Sequence, residues 1–127
     1  VPCQSAIQTA LGGYQSIDDL VKENGRLRIQ RDVTTDMLNG IDGISCVKPK
    51  GAMYCFAKVD EKKFNIQNDE QMVLDLLSSE KILLVHGRAF NLTEGTYFRL
   101  VFLPHSDVLV PALHRIGNFF RTYKQGA

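Results

Sequence analysis

Short apolar runs bounded by turn residues, interleaved with longer segments of helical periodicity, predict an α+β fold. The expected form is a two-layer sandwich: a small, mostly antiparallel sheet with helices on one face. The strongest single observation is the pair Ile44–Val47 and Ala52–Ala57, two strand-like runs joined by the turn Lys48-Pro49-Lys50-Gly51. A second is the alternation along Tyr97–Phe102, where Tyr97, Arg99 and Val101 fall on one face and Phe98, Leu100 and Phe102 on the other. With 127 residues, of which 44% are hydrophobic and 23% charged, the chain is long enough for one ordinary core.

Taken in order, Pro2–Leu11 reads as a short helix, with Pro near its start and Gly12-Gly13 ending it. Ser16 has the character of an N-cap, with Asp18 and Asp19 in the turn that follows. Apolar residues at helical spacing carry on to Asn39 but are interrupted near Asn24-Gly25, so Ser16–Asn39 is one kinked helix or two joined helices. After the Asp42-Gly43 turn come the two strands named above. Asn68–Ser79 reads as a helix capped by Asn68 or Asp69, with Met72, Val73, Leu76 and Leu77 inward. Ile82–Val85 is a buried-strand candidate and Tyr97–Phe102 the last strand. Asp107 is the expected cap of a final helix through Leu113, Ile116, Phe119 and Phe120, in which Pro111 falls about one turn from the start.

Several function classes are disfavoured. The formal net charge is +1 with no basic stripe, which argues against nucleic acid as a partner and against an RNA-binding sheet. The apolar runs Ile82–Val85 and Leu100–Leu103 are far too short to span a membrane. Cys3, Cys46 and Cys55 are sparse, odd in number and without C-x-x-C spacing, which argues against a disulfide framework or a zinc site and for a reducing, cytoplasmic setting. The first residue is Val with no signal-peptide pattern after it, and the expectation is a fragment or a processed chain.

Among chemistry-bearing residues, Arg99 stands out. A guanidinium on a strand must reach water or an anion, and its fork matches a carboxylate through two parallel hydrogen bonds. By pattern alone such an arginine is most simply a solvated charge. His86, His105 and His114 are scattered and lack metal-ligand spacing, so no metal site is expected. Gly12-Gly13 has no strand before it and no suitably placed lysine after it, unlike a phosphate loop. No nucleophile elbow and no cysteine with an adjacent base is present, so no catalytic nucleophile is expected.

Four segments in register resemble the C-terminal region of class I, fold-type I, pyridoxal-phosphate-dependent aminotransferases. They are Val1–Gly13, Val47–Phe56, Leu84–Phe90 and Phe98–Val101, and they look most similar to the bacterial alanine aminotransferases and their tyrosine aminotransferase relatives. The resemblance implies that Arg99 binds the substrate α-carboxylate, and that Gly51, Ala52 and the His86–Phe90 loop lie near the substrate side chain. It implies residues 1–15 as the tail of a large cofactor-binding domain, 16–40 as an interdomain helix and 41–127 as the small C-terminal domain. The intact enzyme would be a homodimeric transferase of amino-acid metabolism. It would move an amino group between an α-amino acid, alanine or one like it, and an α-keto acid such as 2-oxoglutarate. No lysine here has the sequence context of the family's cofactor lysine. The resemblance therefore implies that this chain holds no cofactor-binding residue, works with its own N-terminal large domain, and is inactive alone. The rival reading is a free-standing α+β module that binds an amino acid or another protein.

Overall fold

Strands β2 (Tyr54–Val59) and β4 (Thr96–Val101) form the antiparallel centre of the computed structural model, which describes residues 1–126. Along β2 the side chains alternate strictly, with Cys55, Ala57 and Val59 buried and Tyr54, Phe56 and Lys58 exposed. Strand β4 follows the same rule, burying Thr96, Phe98 and Leu100. Short strands complete the sheet on either side: β1 (Ile44–Cys46) pairs with β2, and β3 (Val85–His86) pairs with β4. The order is β1-β2-β4-β3 and every pairing is antiparallel. One face is thus apolar and needs a cover, which is the condition for a two-layer sandwich.

The cover comes from α3 (Arg26–Asn39), α5 (Asp69–Glu80) and α6 (Ser106–Thr122). Helix α6 sends Leu109, Leu113, Ile116, Phe119 and Phe120 into the core at helical spacing. The ring of Phe120 lies 5.1 Å from Phe64 and 6.1 Å from Phe98, which joins the helix layer to the sheet. Burying each such ring contributes about 1.5–3 kcal/mol. Beyond α6, the Gln125 side chain accepts hydrogen bonds from the backbone N–H of Gln67 and Asn68 and donates to the Asn68 carbonyl. Its own N–H donates to the carbonyl of Phe64, at the end of the short helix α4 (Glu61–Phe64).

The remaining helices lie away from this sandwich core. Helix α1 (Pro2–Gly12) buries none of its residues, and α2 (Ser16–Val21) none of its own. The segment 16–39 is two helices rather than one kinked helix. Gly25 sits at the break, and a Cβ there would lie 2.4 Å from the Leu20 carbonyl, so the chain turns back on itself too tightly for a side chain.

Several boundaries differ from expectation for physical reasons. Ser16 is the first helical residue and Gln15 precedes it as the cap position, without a side-chain cap bond. Strand β1 ends at Cys46, one residue before Val47. Strand β2 starts at Tyr54, because Ala52 adopts the left-handed region at φ 55° and cannot extend the ladder. Of the run Ile82–Val85, only Val85 joins the sheet. Leu84 is buried without belonging to a ladder, so the apolar run reflects packing instead of pairing. Asp107 lies within the first turn of α6, and the cap is His105, whose Nδ1 accepts from the Asp107 N–H at 3.5 Å. Helix α4 and a 3-10 turn at Gly87–Phe90 were not expected.

Candidate functional site

The uncovered face of the sheet carries Tyr54 and Phe56 from β2 and Tyr97, Arg99 and Val101 from β4. Phe56 is the direct partner of Arg99 across the ladder, and Val85 flanks Arg99 from β3. The guanidinium carbon of Arg99 lies 4.6 Å from the centre of the Tyr54 ring and 4.5 Å from that of Phe90. Phe90 ends the 3-10 turn and also meets Phe56 edge to face, with ring centres 5.5 Å apart.

This setting decides what Arg99 can do. Aromatic faces attract a cation by about 0.5–2 kcal/mol and leave its N–H donors uncommitted. Arg99 takes part in none of the ion pairs among the described residues. Its Nε is buried and without a hydrogen-bond partner. A half-buried guanidinium with an orphan donor fits a planar anion delivered from outside, and a carboxylate is the planar anion that engages two donors at once.

Gly51 lies on an exposed turn, and a Cβ built there would meet nothing within 4 Å. Ala52 follows it, also exposed, in its left-handed conformation. The turn sits two residues before Tyr54 and beside the end of β4, where the Phe102 N–H donates to the Met53 carbonyl. The turn lines a small cavity together with Val21 of α2, with Leu27, Arg28 and Arg31 of α3, and with Phe102. His86 pairs with Phe98 in the register and so takes the opposite side of the sheet from Arg99. His105 is engaged locally with Asp107, and His114 is exposed on α6.

Sequence reasoning missed Asp69 and reached Phe90 only as part of the His86–Phe90 loop that the resemblance puts near the substrate side chain. Phe90 looked like a loop residue, and its ring gains a role only through a contact made across the sheet. Asp69 was considered as a helix cap, but Asn68 caps α5 by accepting from the Gln71 N–H. Asp69 instead reaches the loop, accepting from the Arg88 N–H at 3.0 Å. Next to the same face, an apolar groove of about 640 Å³ runs between the Ile82–Val85 segment, the end of β4 and the start of α6. No helix among the described residues is long and apolar enough to cross a membrane.

Residues 1–116 match the family model described as "Aminotransferase class I and II". The chain is 54% identical over 125 residues to the glutamate-pyruvate aminotransferase AlaA of Haemophilus influenzae, covering 98% of this chain and 31% of that protein. It is likewise 54% identical to the alanine aminotransferase of Mycobacterium tuberculosis, covering 98% of this chain and 29% of that protein. A crystal structure of an aminotransferase from Escherichia coli superposes with a TM-score of 0.91 at 50% identity, over 98% of this chain and 31% of that one. The chain therefore spans less than a third of the length of these relatives.

Proposed function

This chain belongs to the class I and II aminotransferase family, and on that premise we propose that it is the carboxylate-binding C-terminal part of a longer aminotransferase. The reaction would pass an amino group between an α-amino acid, with alanine the first candidate, and an α-keto acid such as 2-oxoglutarate. The relatives bearing alanine and glutamate-pyruvate names support that choice of substrates. In this reading residues 1–15 end a large domain, 16–40 bridge the two domains, and 41–127 form the small domain that closes over substrate. The intact enzyme would be a homodimer. Three free thiols among the described residues fit a cytoplasmic setting.

The observation that carries the proposal is the unpaired Arg99 guanidinium on the uncovered sheet face. Every amino-acid and keto-acid substrate of such an enzyme shares an α-carboxylate. Arg99 would grip it through the fork, and the neighbouring rings would limit water access on that side. Fixing the carboxylate fixes the α-carbon, and orientation of a reacting centre is a large part of the rate gained on an enzyme. Gly51 and Ala52, exposed on their turn, would border the substrate side chain.

The family implies pyridoxal phosphate, which supplies the electron sink for breaking bonds at the α-carbon. The residues present here do not fit that group by themselves. All lysines of the chain are solvent-exposed, and none has the sequence context of the family's cofactor lysine. The cofactor site is accordingly assigned to the part of the enzyme outside these residues.

The test is kinetic. In the full-length protein, Arg99→Ala lowers kcat/KM for alanine at least about tenfold, equivalent to about 1.4 kcal/mol of lost transition-state stabilisation. Unchanged kinetics would remove the role assigned to Arg99.

A further inference from the structure

We infer that Asp69 is a positioning residue for the carboxylate site, acting through the Gly87–Phe90 turn to hold the ring of Phe90 against Arg99. The inference rests on the carboxylate role proposed for Arg99.

Asp69 opens helix α5 and is only 3% exposed. A buried carboxylate needs compensation, and helix capping does not supply its reason for being there, since Asn68 fills that role. Its Oδ2 instead accepts the backbone N–H of Arg88, 19 residues away in sequence, at 3.0 Å. Its Oδ1 has no hydrogen-bond partner and lies 3.7 Å from Nε of the same Arg88. Both oxygens thus face a single residue of the turn. The positive end of α5 adds to the attraction.

What the carboxylate holds is a short element. The turn closes on itself through the Asn91 and Leu92 N–H groups, which donate to the carbonyls of Arg88 and Gly87. Gly87 packs tightly against Tyr97, where an added Cβ would come within 3.1 Å of the Tyr97 Cβ. These contacts seat the start of the turn on β4, and the Asp69 bond ties its second residue to α5. Two residues later the Phe90 ring, 41% exposed, meets both Phe56 and Arg99. Releasing Arg88 frees the turn and lets that ring leave the guanidinium, so the fork is no longer held in one orientation.

The test uses the full-length enzyme with alanine as substrate. In Asp69→Ala, KM for alanine rises about fivefold or more, and by a larger factor than kcat falls. Asp69→Asn, which keeps an acceptor for the Arg88 N–H, recovers most of the parent KM. Added to Phe90→Ala, the same substitution changes KM little further, because the ring through which it acts is already gone. Asp69→Ser, too short to reach Arg88, gives the same reading should the alanine variant not fold. A parental KM in Asp69→Ala or Asp69→Ser overturns the inference, as does a full additional effect in the Phe90→Ala background. Arg99→Leu is measured alongside. A parental KM there overturns the carboxylate reading itself, whereas a raised KM there with a parental KM at Asp69→Ala overturns this inference alone.

Discussion

Two aromatic rings set the behaviour of Arg99, because they attract its charge without consuming its donors. The strand alternation was enough to place this residue on the face opposite Phe98 and Leu100. It was not enough to distinguish a solvated arginine from a poised one, because that depends on Phe90, brought near by a turn whose position is a tertiary fact. Other polar residues in the chain are instead closed off. The Cys55 thiol is shifted well above its usual range by its hydrogen bond with Cys46 and by burial, which makes it a poor nucleophile. The Tyr123 hydroxyl donates to Asp75 at 2.6 Å, and burial followed by that carboxylate pushes the phenol far above its ordinary value of about 10. A folded-state value above the unfolded one stabilises the fold below that ordinary value, and the contribution is lost as pH rises past it. Denaturant titrations at about pH 9 and about pH 11 should therefore show a steeper loss of stability for the parent than for Tyr123→Phe. Equal slopes would show that the Asp75 contact does not govern this titration.

Helices and strands were legible where their own residues decide them. The alternation of β2, the apolar stripe of α6 and the Asn68 cap of α5 are all local signals, and each element lies where its pattern puts it within a residue or two. Misreadings arose where distant packing decides. Ile82–Leu84 has the apolar content of a strand, yet the sheet takes in only Val85 and His86. The break before α3, by contrast, falls at Gly25, where the interrupted periodicity puts it, and the backbone of Leu20 occupies the space a side chain would need there. Helix α4 had a readable signal that was passed over: the Asp60 side chain accepts from the N–H groups of Lys62 and Lys63. The joint between α4, α5 and the end of α6 depends on the buried Gln125 side chain and its three backbone partners. Gln125→Ala leaves the Gln67 and Asn68 N–H groups without partners, while the Asn68 carbonyl keeps the Met72 N–H, and should lower the unfolding free energy by about 2–3 kcal/mol, measured by urea titration. A loss below about 0.5 kcal/mol would mean that the joint is held by the surrounding apolar contacts.

The molecule as a whole presents two surfaces that its own core does not use. One is the sheet face bearing Arg99. The other is the α1–α2 arm, on which Ile7, Leu11, Tyr14, Ile17 and Val21 are all at least half exposed. Apolar side chains left in water at this density are expected to find a cover, and in the proposed enzyme the large domain supplies it. A helix as short as α1 is marginal in water without tertiary contacts. Hydrogen exchange on the 127-residue chain alone should accordingly leave the α1 amides nearly unprotected while those of β2 and β4 exchange slowly, and in the full-length enzyme α1 should become protected. Slow exchange of α1 in the isolated chain would show that it is stabilised without a further domain.

Recognition of a carboxylate by Arg99 is isolated by removing that group from the substrate. Kinetics of the full-length enzyme with alanine and with alanine amide, each measured for the parent and for Arg99→Ala, form a cycle that isolates the contact. The parent should prefer alanine over its amide by more than about tenfold, a difference of about 1.4 kcal/mol, and Arg99→Ala should nearly abolish the preference. A preference that survives intact in the variant would place carboxylate recognition elsewhere and contradict the account.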